Sequence, residues 1–213
     1  MLARFIAIIL IALATAWTSL ADAQPTQTLI SDAMQECHLG RIAQERADRL
    51  AHFEKGQRLG EQAVASDDQS ADAHFALFCN LGELMRIDGE MSLSSVMGFR
   101  RMIKELDRTL ELAPEHLDAL SARGTLLVRL PSMLGGDTDK GELLLQHVIA
   151  QEPQAVNARL SLAKSYCSRG RHHDAMTLAS EALTLAQAQR RKDFIPEGTR
   201  IVTQLRATAN KTN

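Results

Sequence analysis

The sequence predicts an all-α protein in which antiparallel helical hairpins stack as a short array of repeats. Apolar residues recur at helical spacing along most of the chain. Two of these runs close at a proline, Pro114 and Pro153, and proline cannot continue a helix. Aromatic residues make up only 4% of the chain, which suits a core of small side chains, and no strand-like run exceeds a few residues.

The first 23 residues have the pattern of a cleavable signal peptide. Arg4 precedes an apolar or small run over residues 5–16, and Ala21 and Ala23 are small residues where a signal peptidase inspects the chain. We expect cleavage after Ala23 and a periplasmic or secreted mature protein. The alternative is an uncleaved membrane anchor. An anchor needs about 20 apolar residues, and polar side chains interrupt this run from Thr15 onward.

The mature chain keeps a formal charge of −2, because the leader removes one basic and one acidic residue. A balance this close to neutral argues against a phosphate-binding surface, so nucleic acid is not an expected partner. The remaining residues, about 190, are enough for one sizeable domain. Membrane contact is expected only through the signal peptide before its cleavage.

Three cysteines remain after the leader, Cys37, Cys79 and Cys167, and their odd number leaves at least one thiol unpaired. Two interpretations stay open. Cys79 and Cys167 lie in apolar helical patterns, where an unpaired cysteine acts as a small hydrophobic side chain. A disulfide between Cys37 and Cys79 is the other interpretation, because an exported chain folds where disulfides form.

The first two hairpins follow from the apolar pattern. We expect the first helix over residues 29–50, followed by a second helix whose packing positions are Phe53, Gly56, Gly60 and Ala63. The next hairpin pairs ADAHFALFCNLGELM with RRMIKELDRTLELAP, which ends at Pro114.

Two further hairpins and a final helix complete the array. The third hairpin pairs DALSARGTLLVRL with KGELLLQHVIAQEP, and the fourth spans residues 157–183 with its turn at Gly170. Pro196 fits the first turn of a last helix. This helix covers the end of the array with Ile201, Val202 and Leu205, as a repeat array requires.

The fourth hairpin resembles the tetratricopeptide repeat (TPR) family. The residues that carry the resemblance are Leu162, Ala163, Tyr166, Gly170, Ala175 and Ala182. The similarity extends over residues 29–185, although Arg123 stands where the family usually has leucine and Gln187 where it has proline. It implies a short right-handed TPR-type solenoid over residues 24–189, with residues 190–213 as a linker and capping helix. It also implies a scaffold for protein–protein interaction.

Two hairpins are longer than the family's unit of about 34 residues. The residues that close successive hairpins, Asp68, Pro114, Pro153 and Gln187, are 46, 39 and 34 positions apart. Both excesses lie in the turn between two helices, and insertions there project from an edge of a solenoid that often binds partners. We expect the first insertion, residues 88–99, mainly to lengthen a helix by about two turns. The second insertion, residues 130–137, is expected to form a bent, ordered loop.

The two insertions are expected to be neighbours in the array, and they supply one set of candidate partner-binding residues: Met91, Leu93, Met97, Met133 and Leu134. If these side chains are exposed, they form an adaptable apolar patch that suits a protein partner. Otherwise the extended helix packs on the loop as a small satellite core. The exposed surface of the side chains distinguishes the two interpretations.

The TPR resemblance implies a second candidate surface, the concave face formed by the first helix of each hairpin. By the repeat register, the candidate residues on this face are Phe75, Cys79, Glu83, Thr125, Leu160 and Lys164. A clamp for a peptide's terminal carboxylate needs several inward-facing cations and amides. Lys164 and Asn157 alone do not supply one.

The sequence shows no catalytic motif, since G-x-S-x-G, H-E-x-x-H and G-x-x-x-x-G-K-[ST] are all absent. His172 and His173 are adjacent and point in different directions, whereas structural zinc needs four ligands. We therefore expect no enzyme activity, metal or cofactor, and a periplasmic role in protein–protein interaction. The alternative is an accessory role in solute transport, because the long hairpins are loosely similar to the T-component of TRAP transporters. Such a component handles a small ligand or docks a solute-binding protein.

Overall fold

The computed structural model describes residues 23–88 and 93–212, and all regular secondary structure in these residues is helical. The all-α class expected from the sequence is therefore confirmed. The predicted signal peptide lies outside the described residues except for Ala23. The chain divides between Leu112 and Ala113 into two compact units.

The first unit consists of two helical hairpins. Helices α1 (Ala23–Ile42) and α2 (Arg46–Ser66) form one hairpin, and α3 (Ala71–Asp88) and α4 (Leu93–Leu112) form the other. Helix α3 packs on both α1 and α2, so the second hairpin stacks on the first. The predicted packing positions of α2, Phe53 to Ala63, are all buried.

The boundary between the first two helices differs from the prediction. We expected one helix over residues 29–50, but α1 ends at Ile42 and α2 already begins at Arg46. The intervening residues 43–45 contain neither glycine nor proline, so no local signal marks this turn. Beside the turn, the ring of Phe53 lies against Gly40, where a Cβ atom would overlap it, so the two helices approach closely.

Helix α4 confirms that the first insertion mainly lengthens a helix, since the end of the insertion belongs to one continuous helix of 20 residues. Met102 and Leu106 on one face are 5% and 0% exposed. They pack the helix against α3. Residues 89–92, which precede α4, lie outside the described residues.

The second unit also contains two hairpins. Helices α5 (Leu117–Arg129) and α6 (Thr138–Gln151) form the first, and α7 (Val156–Ser168) and α8 (His172–Ala188) form the second. Helix α7 packs on both α5 and α6. Its Leu162, Ala163 and Tyr166 join Ala175 and Ala182 of α8 in the core, as predicted.

The last helix, α9 (Ile195–Thr212), covers the end of the second unit. It packs on α8 and α7 through Ile201, Val202 and Leu205, which are 3 to 5% exposed. Arg200 and Arg206 face solvent, so the expected capping role is confirmed. No helix within residues 23–88 and 93–212 is both long enough and apolar enough to span a membrane.

Glu36 is a buried carboxylate that ties α1 to α2. Its Oε1 accepts a hydrogen bond of 2.6 Å from Lys55 Nζ, and its Oε2 lies 2.6 Å from His52 Nδ1. Burial by itself raises the pKa of Glu36, but the hydrogen bonds and charges of Lys55 and His52 outweigh it and hold the pKa below the ordinary value. The ionised carboxylate therefore stabilises the folded state.

The Glu36 cluster predicts how stability depends on acid pH. Its contribution is present above the unfolded carboxyl pKa of about 4.3 and is lost as the pH falls through the lower folded value. We expect Glu36→Gln to lower the free energy of unfolding at neutral pH by about 1–2 kcal/mol and to flatten the acid limb of the stability–pH profile. Urea unfolding across the acid range measures both. Asp32→Asn, which changes an exposed carboxylate of the same helix, should change neither.

Candidate partner-binding site

The loop between α5 and α6, residues 130–137, presents two large apolar side chains to solvent. Met133 is 88% exposed and Leu134 is 53% exposed, both on a short 3-10 helix, Ser132–Leu134. The expectation of a bent, ordered loop is confirmed. Both side chains face solvent, as the apolar-patch interpretation requires.

Backbone hydrogen bonds hold this α5–α6 loop in one shape. Within the loop, the amides of Leu134 and Gly136 both donate to the Pro131 carbonyl, at 2.9 and 3.1 Å, and the amide of Gly135 donates to Ser132 at 3.0 Å. The Asp137 amide donates to Leu127 of α5 at 2.9 Å, which ties the loop to the helix before it. Such a loop presents its apolar residues in a fixed position.

The loop sequence explains this conformation. Gly135 has a φ of 87°, a left-handed conformation that favours glycine. A Cβ atom on Gly136 would overlap the carbonyl oxygen of Leu130, so this position also needs glycine. The Asp137 side chain accepts a hydrogen bond of 3.0 Å from the Lys140 amide and caps α6.

The first insertion also exposes apolar side chains at the beginning of α4. Val96 is 46% exposed and Met97 is 72% exposed. Met91 and the side chain of Leu93 lie outside the described residues. The expected proximity of the two insertions stays a prediction.

Exposed large apolar side chains concentrate at the insertions. Of the five in the described part of the chain, Val96, Met97, Met133 and Leu134 lie in an insertion. The fifth, Leu143 of α6, is 67% exposed and was missed. The sequence pattern indicated this exposure, because Leu145 and Val148 set the buried face of α6 and Leu143 lies about 160° around the helix from Leu145.

The predicted concave residues of the first unit are mostly occupied by internal contacts. Cys79 is 6% exposed and forms a disulfide with Cys37, which joins α1 to α3. Glu83 is 4% exposed, and its Oε1 accepts hydrogen bonds from Arg41 Nε at 2.8 Å and Arg86 Nη1 at 3.2 Å. Phe75 is half-buried and packs on the ring of Phe78 at a centroid distance of 5.8 Å.

The disulfide decides between the two interpretations of the cysteines. Cys79 as an unpaired hydrophobic side chain is wrong, because it is bonded to Cys37. Cys167 is unpaired and half-buried on α7, which agrees with its interpretation as a small hydrophobic side chain. Arg41 also donates to the Cys79 sulfur at 3.4 Å, which places a cation beside the bridge.

In the second unit, polar concave side chains bind one another. Thr125 Oγ1 lies 2.8 Å from Ser161 Oγ and from the Ser121 carbonyl oxygen, and Asn157 Nδ2 donates to Ser121 Oγ at 2.9 Å. Lys164 Nζ donates to Glu197 of α9 at 2.5 Å.

These contacts leave the predicted concave residues little freedom to bind a partner. Leu160 is 1% exposed in the core of the second unit, so it offers no surface. Lys164 is already paired with a carboxylate. Partner binding by the concave residues stays a prediction.

A groove that the sequence did not reveal runs between α6, α7 and α8. Its volume is about 400 Å³, and Ile149, Leu162 and Leu178 give it an apolar floor that is largely open to solvent. Tyr166 borders it, with its hydroxyl accepting a hydrogen bond of 2.8 Å from Gln146 and its ring 3.6 Å below the Arg171 guanidinium. The groove depends on the spacing of three helices, which no single helix sequence specifies.

No group of three or more His, Cys, Asp or Glu side chains in the described residues is arranged to hold a metal ion. His172 and His173 are exposed at the beginning of α8. Arg171 at this turn pairs with Asp174 at 2.8 Å.

Comparison with solved structures identifies the fold. TTC0263, a thermophilic TPR protein of Thermus thermophilus, is similar to the chain with a TM-score of 0.53 and 19% identity, over 85% of this chain and 97% of that chain. A double mutant of MamA RS-1 gives 0.46 and 14%, over 84% and 97%. YrrB, a TPR protein with an unusual peptide-binding site, gives 0.36 and 15%, over 68% and 84%.

The chain therefore has a TPR-like, all-α fold, as its sequence predicted. Comparisons with models of known protein families and with curated protein sequences give no match. The expected similarity to the TRAP T-component has no support in these comparisons.

Proposed function

We propose that this chain is a non-enzymatic periplasmic scaffold that binds a protein partner through the α5–α6 loop. The observation that carries the proposal is the exposure of Met133 and Leu134 in a loop whose backbone is hydrogen-bonded. Apolar surface gains about 25 cal/mol per Å² when it leaves water. A rigid loop also loses little conformational entropy on binding. An exposed apolar pair of this kind suits the pocket of a partner as an anchor.

Two features support export to the periplasm. The first 23 residues have the pattern of a signal peptide, with Arg4 before an apolar run. The disulfide between Cys37 and Cys79 belongs to an oxidising compartment, since cytosolic thiols are kept reduced. Mass spectrometry of the exported protein tests the expected cleavage after Ala23.

A transport accessory that handles a small ligand is the second candidate function. The groove between α6, α7 and α8 favours it, because its volume of about 400 Å³ lies within the usual range for small-ligand sites. Such sites bury most of the ligand surface, whereas this groove is largely open to solvent. The geometry therefore suits a protein partner better than an enclosed small ligand.

Photo-crosslinking in the periplasm tests the proposed function. A photoreactive amino acid at position 133 is expected to capture a defined partner, which mass spectrometry then identifies. With that partner purified, Met133→Gln/Leu134→Gln should raise the dissociation constant by about 30-fold. This is the effect of losing an anchor that contributes about 2 kcal/mol.

Leu143→Gln is the matched control, since it removes a 67% exposed leucine outside both insertions. We expect this variant to bind like the wild type. Equal loss in the two variants, or wild-type binding by the loop variant, would contradict a partner site on the loop.

A further inference from the structure

One face of α4 combines an exposed methionine with three cations. The proposed scaffold function does not use this face. Met97, Arg100, Arg101 and Lys104 follow the spacing i, i+3, i+4, i+7, so they share one side of the helix. The buried side of the helix, with Met102 and Leu106, lies opposite. The α4 basic face, as we call these four residues, therefore points to solvent.

The charge of this segment differs from that of the chain. The first 12 residues of α4, from Leu93 to Lys104, contain three cations and no carboxylate, whereas the whole chain has a net charge of −2. Arg101 pairs with Glu61 of α2 at 2.7 Å. In the part of the chain that the structure describes, Arg100 and Lys104 have no carboxylate within ion-pair distance. Asp107 and Glu111 line the same shallow groove as Arg100 and Lys104, and Glu111 pairs with Arg108. The two exposed cations therefore outnumber the carboxylate of Asp107 on this side of the helix and are available to an anionic surface.

Apolar side chains accompany these cations. Met97, on the basic face itself, is 72% exposed, and Val96 beside it is 46% exposed. A purely electrostatic partner such as an acidic protein segment or a free anion requires no exposed methionine among the cations. A bilayer interface receives both kinds of group, since apolar side chains enter the acyl boundary while cations meet anionic headgroups.

We propose that the α4 basic face docks the folded protein on an anionic lipid surface. Arg100 and Lys104 bind phosphate-bearing headgroups, and Met97, one turn before Arg100, enters the acyl boundary. This contact is peripheral and reversible, because a few cations and one or two apolar side chains give weak membrane affinity. The contact is separate from the signal peptide, which is the only membrane contact that we expected from the sequence. It does not rest on the partner site at Met133 and Leu134, which belongs to the other unit.

Vesicle binding by the protein purified after export tests the proposal, with the absence of the leader verified by mass spectrometry. We expect binding to phosphatidylcholine vesicles that contain phosphatidylglycerol, little binding to phosphatidylcholine alone, and release at high salt. Arg100→Gln/Lys104→Gln should lower the partition coefficient by about 30-fold, which corresponds to about fivefold for each cation. Circular dichroism confirms that the variant is folded.

Arg200→Gln/Arg206→Gln is the matched control, because it removes the same charge from two exposed residues of α9. It should bind like the wild type. Equal loss in the two double variants, or no dependence on phosphatidylglycerol, would overturn the proposal.

The apolar part of the contact has its own control. Met97→Ser should weaken vesicle binding severalfold, while Leu143→Ser, at a leucine of similar exposure outside both proposed sites, should not. If the cations matter but Met97→Ser has no effect, the contact with the vesicle is purely electrostatic, and the proposed entry of Met97 into the interface is overturned.

Discussion

Phe53→Ala is expected to lower the free energy of unfolding by about 3–5 kcal/mol, the usual cost of removing a fully buried aromatic ring. Phe53 is 0% exposed and is the largest of the fully buried side chains in the described residues. Its ring fills the space between α1 and α2, where Gly40 leaves room for it. Urea unfolding followed by far-UV circular dichroism measures the loss, and hydrogen exchange assigns it to residues 23–112.

A double-mutant cycle with Gly40 tests the cause of this loss. Gly40→Ala alone should be destabilising, because the new methyl group overlaps the Phe53 ring. In the Phe53→Ala background the same change should be tolerated, since the ring is gone, so the two effects should not add. Met133→Ala, at an 88% exposed side chain, should change stability by less than about 0.5 kcal/mol. Additive effects would mean that the ring does not depend on Gly40.

Loss of the disulfide is the second large effect that we expect. The bridge joins Cys37 to Cys79 across 42 positions of the chain. Closing a loop of that length stabilises the folded state by about 4 kcal/mol through the entropy of the unfolded chain. Cys37→Ala/Cys79→Ala should therefore lower the free energy of unfolding by about that amount, measured by urea unfolding of the two oxidised proteins.

Two controls separate the bridge from the other effects of substitution. Cys167→Ala removes the unpaired thiol and should leave the unfolding midpoint nearly unchanged. Addition of a reductant should destabilise the wild type but not Cys37→Ala/Cys79→Ala. If reduction has no effect on the wild type, the bridge does not contribute to stability. Hydrogen exchange should locate the loss in the first unit, which contains both cysteines.

Most helices could be predicted from the sequence because their cores repeat small and apolar residues at helical spacing. Ala175 and Ala182 of α8, and Ile201 and Leu205 of α9, are buried as their pattern indicated. The turn between α1 and α2 could not be predicted, because residues 43–45 contain no glycine or proline. The close contact beside it, between Gly40 and Phe53, joins two residues on different helices.

The candidate site was predicted in part. The two insertions were located from the repeat length alone, and the exposure of Met97, Met133 and Leu134 agrees with one of the two interpretations of them. The concave residues were predicted from the repeat register. The register does not reveal which of these side chains are bound to other residues of the same chain. Only the folded chain shows that Lys164 pairs with Glu197 and that Cys79 is bonded to Cys37.

The sequence by itself determined the helical class, the TPR-like repeat and the places where the repeat is interrupted. These features depend on the spacing of residues along the chain, which the sequence contains directly. Only the tertiary structure decided the disulfide, the internal pairing of the concave residues, the groove beside Tyr166 and the exposure of Met133. Each of these depends on distances between residues that are remote in sequence, and helix packing alone sets those distances.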